Sequence, residues 1–195
     1  MAEDPVGQTA NFYEEIAESY AIEWLDSEVM RESCDYFIRN LLGGAPRILD
    51  VGCGPGRDAK FFSDRGFEVV GIDLAEKFLR IARQIAPSAT FVKMDMRSLG
   101  FSDASFAGLW ACASLLHLPR SQAGPALREF HRVLELGGLL YVSVTEGEGE
   151  GWRKHAEGRD FCAYYCKEAF KQVVSEAGFE IIQLKRSGGP AVSLR

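Results

Sequence analysis

Two aspartates bracket three alternating glycines in the run Asp50-Val51-Gly52-Cys53-Gly54-Pro55-Gly56-Arg57-Asp58. Glycines this close together cost conformational entropy unless the backbone must take positive φ or approach another group closely, so the turn itself reads as a binding element. Asp50, beside a glycine-lined crevice, suits a ligand carrying positive charge, such as an amino acid ammonium or a sulphonium. A second carboxylate, Asp73, ends the apolar run Phe67-Glu68-Val69-Val70-Gly71-Ile72. At the carboxyl end of a second parallel strand it faces the crevice over the first and can accept hydrogen bonds from both hydroxyls of a ribose; the alternative is a cap for the next helix. Further on, Ser114 and His117 are the polar groups of Ala113-Ser114-Leu115-Leu116-His117. A histidine there can act as general base for a hydroxyl nucleophile at neutral pH, or it can serve structure or line the site.

Spacing excludes the common phosphate binders. The dinucleotide turn needs a third glycine three residues after its second, and Arg57 holds that position. No Gly-Lys-Ser/Thr follows, so a P-loop is excluded too. Cys162 and Cys166, with His155 nearby, lack the second ligand pair a structural zinc needs, and no metal site is expected. Cys53 and Cys112 read as small apolar residues beside the crevice.

The run from Asp50 to Gly56 resembles the first motif of the class I S-adenosylmethionine-dependent methyltransferases, with Gly56-Arg57-Asp58 similar to tellurite-resistance-type members. The resemblance implies a Rossmann-like three-layer α/β sandwich with a mostly parallel central sheet, closed by an antiparallel last strand. It also implies S-adenosyl-L-methionine as cofactor and, as cofactor-binding residues, Tyr20, Asp50, Gly52, Cys53, Gly54, Gly56, Asp73, Leu74, Asp95, Met96 and Ala111. In that family an acid at Asp95 receives the adenine amino group and its neighbour, here Met96, covers the ring. A helix with a tyrosine near its end closes over the cofactor, which points to Tyr20 and Tyr13, unless these rings only dock the helix. Relatives that methylate exocyclic base amines carry Asn or Asp before Pro-Pro and an aromatic where this chain has Ala113-Ser114-Leu115-Leu116. Methyl transfer to a small-molecule acceptor follows, with His117 as candidate base. The alternative is a non-catalytic domain that binds the cofactor as a regulatory partner.

The elements that must position these residues are legible in order. Phe12, Ile16, Tyr20 and Trp24 recur at helical spacing in a helix expected over 11–25, after a frayed 1–9. A second helix is expected over 28–42, ending at Gly43-Gly44 and Pro46. Strands are expected at 48–51, 67–72, 90–94, 108–113, 139–145 and 179–185, with helices between them; the helix from Arg120 should stop at Gly137-Gly138. Residues 146–159, glycine-punctuated and acidic, read as a mobile lid or a solvated linker. After a turn at Gly188-Gly189-Pro190 only Ala191 to Leu194 remain for the antiparallel strand, which is expected short or missing. The whole reads as one methyltransferase domain, 1–195: a helical cap (1–45), a cofactor-binding core (46–145), a lid or substrate loop (146–165) and a C-terminal helix and strand (166–195).

At 195 residues, with 47% hydrophobic and 26% charged content, the chain suits one such domain and leaves no room for a second. A net charge of −6 without basic runs argues against a nucleic-acid partner. No stretch is long and apolar enough for a bilayer and no signal region opens the chain; with five cysteines and no disulfide framework, a cytoplasmic setting is expected.

Overall fold

A computed structural model describes residues 4–41, 46–186 and 190–194. Its centre is β1 (Arg47–Val51), which pairs in parallel with β2 (Glu68–Asp73) on one side and β4 (Phe106–Ala111) on the other. With β3 (Thr90–Lys93), β5 (Leu134–Ser143), β9 (Ile181–Arg186) and β10 (Pro190–Leu194) they form a seven-stranded sheet in the order β3-β2-β1-β4-β5-β10-β9. Strand order reverses between β1 and β4, and at such a switch the carboxyl ends of parallel strands leave a crevice. The register sets Asp50 opposite both Gly71 and Trp110, so the ends of β1, β2 and β4 lie level there.

Period-two alternation sorts the core onto two faces. Leu49, Val51, Val70, Leu109 and Ala111 pack on one side, where α5 (Arg120–Val133) supplies Leu127 and Phe130 and α6 (Lys167–Glu176) supplies Phe170 and Val174. Ile48, Val69 and Trp110 pack on the other, with Phe37 of α2 (Arg31–Asn40), Phe62 of α3 (Arg57–Ser63) and Leu79 of α4 (Glu76–Ile85). The expected three-layer α/β sandwich is thereby in place. Helix α1 (Pro5–Trp24) belongs to neither layer. It crosses the strand ends, packing Ala17, Tyr13 and Tyr20 on Ala75 and Phe78 at the start of α4.

Four expectations need correction. Helix α1 starts at Pro5, because the Asp4 carboxylate accepts from the Val6 N–H at 3.2 Å and proline sits in the first turn, an N-cap pair that pre-forms the helix start. Val6 and Thr9 are then buried with Phe12, so residues 4–9 are not frayed. Helix α5 ends at Val133, and Gly137-Gly138 lie inside β5. The pairing of β4 with β5 slips between Phe106 and Gly108. A Cβ on Gly138 would sit 2.9 Å from the Glu135 carbonyl oxygen, so the double glycine permits a bulge rather than stopping a helix.

Residues 146–159 are largely built into strands. β7 (Glu150–Lys154) pairs antiparallel with β8 (Arg159–Tyr165), and β6 (Thr145–Glu146) adds to the far edge of β8 in parallel. Trp152 meets Phe161 edge-on at 5.7 Å and carries the Arg159 guanidinium 4.3 Å above its ring; these cross-strand contacts override the poor strand propensity of Glu and Gly. The final strand is short but present: β10 runs antiparallel between β5 and β9, with Val192 opposite Val142 and Leu184. The expected turns at Gly43-Gly44 and Gly188-Gly189 lie outside the described residues.

Candidate active site

The three glycines of the opening turn do three different jobs. Gly52 and Cys53 both donate backbone N–H groups to the Ile72 carbonyl, at 2.8 and 3.0 Å, which ties the turn to the end of β2. At Gly52 φ is +68° and a Cβ would fall 2.4 Å from the Ser114 Cβ. Gly54, at φ +53°, has nothing within 4 Å of its Cβ position and presents bare backbone to the crevice. Gly56 has φ +92°, and its Cβ would meet the Ala82 Cβ at 2.9 Å, so it lets α3 approach α4.

The crevice at the switch point encloses about 790 Å³, open solvent at its mouth included. Asp73 forms part of its wall. One carboxylate oxygen accepts from Gly54 N at 3.0 Å and the other from Ala75 N at 2.9 Å, so this residue both braces the glycine turn and stiffens the lead into α4. The Leu74 backbone N–H is a third donor to the same carboxylate. Burial raises its pKa above the usual carboxylate range, opposed by those backbone donors. On the same side Leu74, Met94 and Met96 make an apolar wall. Asp95 also lines the crevice, but its carboxylate is forked by the Arg97 guanidinium, with Nε at 2.9 and 3.0 Å from its oxygens, and accepts from the Arg97 N–H. Those donors outweigh burial and hold its pKa low.

A smaller recess opens beside the glycine turn, and Gly52, Gly54, Cys112 and Tyr20 line both spaces. Asp50 and Cys53 sit in its wall. Asp50 is 2% exposed and its Oδ2 has no hydrogen-bond partner. Burial and the neighbouring Asp58 push its pKa well above the carboxylate range. Arg57 does not relieve it fully, because that guanidinium forks Asp58 at 2.7 and 3.0 Å, and Asp58 also accepts from the Trp110 indole at 2.8 Å. Ala111 is fully buried on the α5 face of β4, and Cys112 and Ala113 after it line the crevice, since successive strand residues face opposite ways.

The third wall gathers Ser114, His117 and Tyr13. Ala113 takes φ +50°, unusual for a residue with a Cβ, and its N–H donates to Ser143 Oγ at 2.8 Å. This sharp exit from β4 leaves Ser114 4% exposed with an unpartnered Oγ. His117 ends a single 3-10 turn, Leu115–His117. Its Nδ1 lies 2.8 Å from the Phe161 carbonyl and its Nε2 lies 3.3 Å from the Tyr13 hydroxyl. That hydroxyl is also 3.3 Å from Oδ2 of Asp160. Asp160 is fully buried, paired with Arg153 and 2.9 Å from His155 Nε2; burial raises its pKa, but these partners prevail and lower it. Burial holds His117 below its ordinary value, the Phe161 carbonyl and Asp160 opposing. Sequence reasoning missed Asp160, which falls within the segment 146–165 expected as a lid or substrate loop. Cys162 is buried and Cys166 exposed, so that pair does not converge.

A family model described as a methyltransferase domain matches residues 48–138, the span from β1 to the bulge of β5. The malonyl-[acyl-carrier protein] O-methyltransferase of Pseudescherichia vulneris is 32% identical over 123 residues, covering 62% of this chain and 48% of that protein. The 27-O-demethylrifamycin SV methyltransferase of Amycolatopsis mediterranei is 31% identical over 173 residues, covering 80% of this chain and 63% of that protein. The chain spans about half the length of the curated relatives it matches first, 40% to 61%. Among solved structures, the 1,6-didemethyltoxoflavin-N1-methyltransferase of Burkholderia thailandensis, holding 1,6-didemethyltoxoflavin and S-adenosylhomocysteine, superposes with a TM-score of 0.77 at 21% identity, covering 100% of this chain and 91% of that one. That likeness concerns the fold. Among the described residues no helix is long and apolar enough to cross a membrane.

Proposed function

We propose, for a chain that belongs to the class I S-adenosylmethionine-dependent methyltransferases, that the crevice and its recess hold S-adenosyl-L-methionine and that the methyl group goes to a small-molecule acceptor. The observation that carries this reading is Asp50: a buried carboxylate with an unpartnered oxygen at the mouth of a glycine turn is poorly placed until a cation arrives. The residues fit the cofactor. Asp50 Oδ2 suits the ammonium of its amino acid end, the Asp73 carboxylate at the crevice wall suits the ribose hydroxyls, and Leu74, Met94 and Met96 suit a flat base. Asp95 can take the base amino group only by sharing a carboxylate already held by Arg97. When bound, the cofactor supplies a methyl group on a sulphonium, an electrophile needing no metal.

The protein's part is then positioning and exclusion of water, which can supply most of the acceleration for such a transfer. Tyr20 spans crevice and recess and rests edge-on against Phe78 at 5.3 Å, while Tyr13 meets Tyr20 at 5.7 Å; the two rings roof the place where the spaces join. The acceptor belongs on the Ser114 and His117 side, under Tyr13. Two relatives are named for an acyl-carrier-bound malonyl group and for a rifamycin, and both names fit a reading in which the acceptor varies while the cofactor floor does not. The net charge of −6 argues against a nucleic-acid acceptor, and five unpaired cysteines suit a cytoplasmic setting.

Calorimetric titration with S-adenosylmethionine, S-adenosylhomocysteine and NAD tests the proposal. Saturable binding of the first two and not of NAD is expected. Asp73→Asn, which keeps one acceptor oxygen but loses the charge, should weaken both by about 10- to 100-fold, as expected for a charge-assisted hydrogen bond of about 1.5–3 kcal/mol. Binding of NAD, or indifference to Asp73→Asn, would sink the assignment; tight binding without turnover on any acceptor would favour a regulatory role.

A further inference from the structure

We infer that the acceptor is an uncharged hydroxyl compound, an alcohol or phenol, and that His117 Nε2 takes its proton while the Tyr13 hydroxyl turns from Nε2 to Asp160. The inference rests on the methyl-transfer reading above and names the substrate class of that site. Proton counting fixes the resting state. The Phe161 carbonyl, 2.8 Å from Nδ1, can only accept, so Nδ1 carries the proton and a neutral ring leaves a bare lone pair on Nε2. The Tyr13 hydroxyl has one proton and two acceptors at the same 3.3 Å, Nε2 and Asp160 Oδ2. Beside a neutral imidazole it donates to Nε2. Beside an imidazolium it accepts from Nε2–H and donates to the Asp160 carboxylate, a change that needs only rotation of one hydroxyl.

Two further observations select the substrate. Ser114 Oγ, 96% buried by its 4% exposure and without a partner, lines the crevice three residues before His117, and can hold the same acceptor oxygen. Among the described residues that line the crevice, those with fixed charge are Asp73 and Asp95. The cations nearby are committed, Arg153 to Asp160, Arg57 to Asp58 and Arg97 to Asp95. A carboxylate acceptor would therefore be desolvated without a counter-ion, which is strongly unfavourable. A hydroxyl meets instead a base and a hydrogen-bonding serine. In the transfer the acceptor oxygen bonds to the methyl carbon as the carbon–sulphur bond breaks, the bonding pair stays on sulphur, and the hydroxyl proton passes to Nε2. The groups facing His117 are Tyr13 from α1, Asp160 from β8, and Arg153 and His155 from β7 and the turn after it. Burial keeps the ring neutral near pH 7, as a base must be.

The test uses the full chain loaded with S-adenosylhomocysteine, with phenol and benzoate as probes, read by nitrogen NMR of the histidine rings and by calorimetry. His117 is expected as the Nδ1–H tautomer at neutral pH, with phenol shifting the Nε2 resonance and benzoate leaving it in place. Tyr13→Phe should lower the His117 pKa, because the imidazolium loses its bridge to Asp160; a tyrosine that merely packed would leave the titration unchanged. A proton on Nε2 in the resting ring, benzoate binding as tightly as phenol, or no response of Nε2 to phenol would each overturn the inference, and these wild-type readouts stand if Tyr13→Phe fails to fold. Failure to bind S-adenosylhomocysteine would instead overturn the methyl-transfer reading itself.

Discussion

Asp50 is retained against the stability of the free protein. Its folded pKa lies well above the ordinary carboxylate value, first through burial and then through Asp58, so above that ordinary value the native state binds more protons than the unfolded one. By linkage its contribution falls as pH rises from about 4 toward the folded pKa. Asp50→Asn should therefore stabilise the cofactor-free protein at neutral pH, by about 1–3 kcal/mol for one uncompensated buried polar group, and so raise its unfolding midpoint, while weakening the binding of S-adenosylhomocysteine. Scanning calorimetry with and without that ligand checks both halves, and a variant less stable than wild type would remove the argument. Asp50, the glycines and Asp73 were legible because their signal is local, carboxylates and bare backbone at fixed offsets from apolar runs. The direction in which Ala111 faces was not legible, because β4 is buried along all of its length and no polar residue marks which face is which. Asp160 was illegible for another reason: Tyr13 stands 147 positions away in sequence and makes sense of it only in space.

At the scale of elements, the roof over the crevice is tied to β8 and the turn before it by specific contacts. The Phe161 N–H of β8 donates to Thr9 Oγ1 of α1 at 2.9 Å in a buried setting, His155 stacks on Phe12 at 5.1 Å, and a Cβ on Gly158 would press on Phe12 at 2.9 Å. Thr9→Val keeps the shape and removes the acceptor, stranding a buried N–H at a cost of about 1–3 kcal/mol. Hydrogen exchange should then quicken across α1 and β8 while β1 and β4 keep their protection. Uniform loss of protection would show that the roof is not a separable unit. The helix itself was half legible: its aromatic spacing gave the later turns, whereas the Asp4-Pro5 start required attention to capping rather than periodicity. The hairpin of β7 and β8 was hidden because Glu and Gly disfavour strands in isolation, and only the cross-strand partners Trp152 and Phe161 make it one. The α5 boundary failed where a helix stop and a strand bulge ask for the same residue, glycine.

For the whole molecule, the order of strands and helices up to β5 followed from their alternation, but the slot taken by β10 between β5 and β9 could not, because five residues of tail carry no address for the edge they join. Binding should be felt globally. At a ligand concentration a hundredfold above Kd, S-adenosylhomocysteine should stabilise the fold by about 2.7 kcal/mol, read as a shift in the denaturant midpoint; a midpoint that stays put would contradict the cofactor assignment. Acid should act through His117, whose depressed folded pKa means that the unfolded chain binds its proton first. The resulting stability is intact above the unfolded value of about 6.5 and is lost as pH falls below it, so replacing His117 with Asn should flatten that limb of the stability curve. The bond between Thr9 and Phe161 joins positions 152 apart. Closing so large a loop returns little until both partners are already structured, which places the docking of α1 on β8 late in refolding and makes it the first thing to come undone. A chain caught before that step would already own its strand-end floor and lack its ceiling, so cofactor affinity should recover in a refolding experiment in a slower phase than the far-ultraviolet signal.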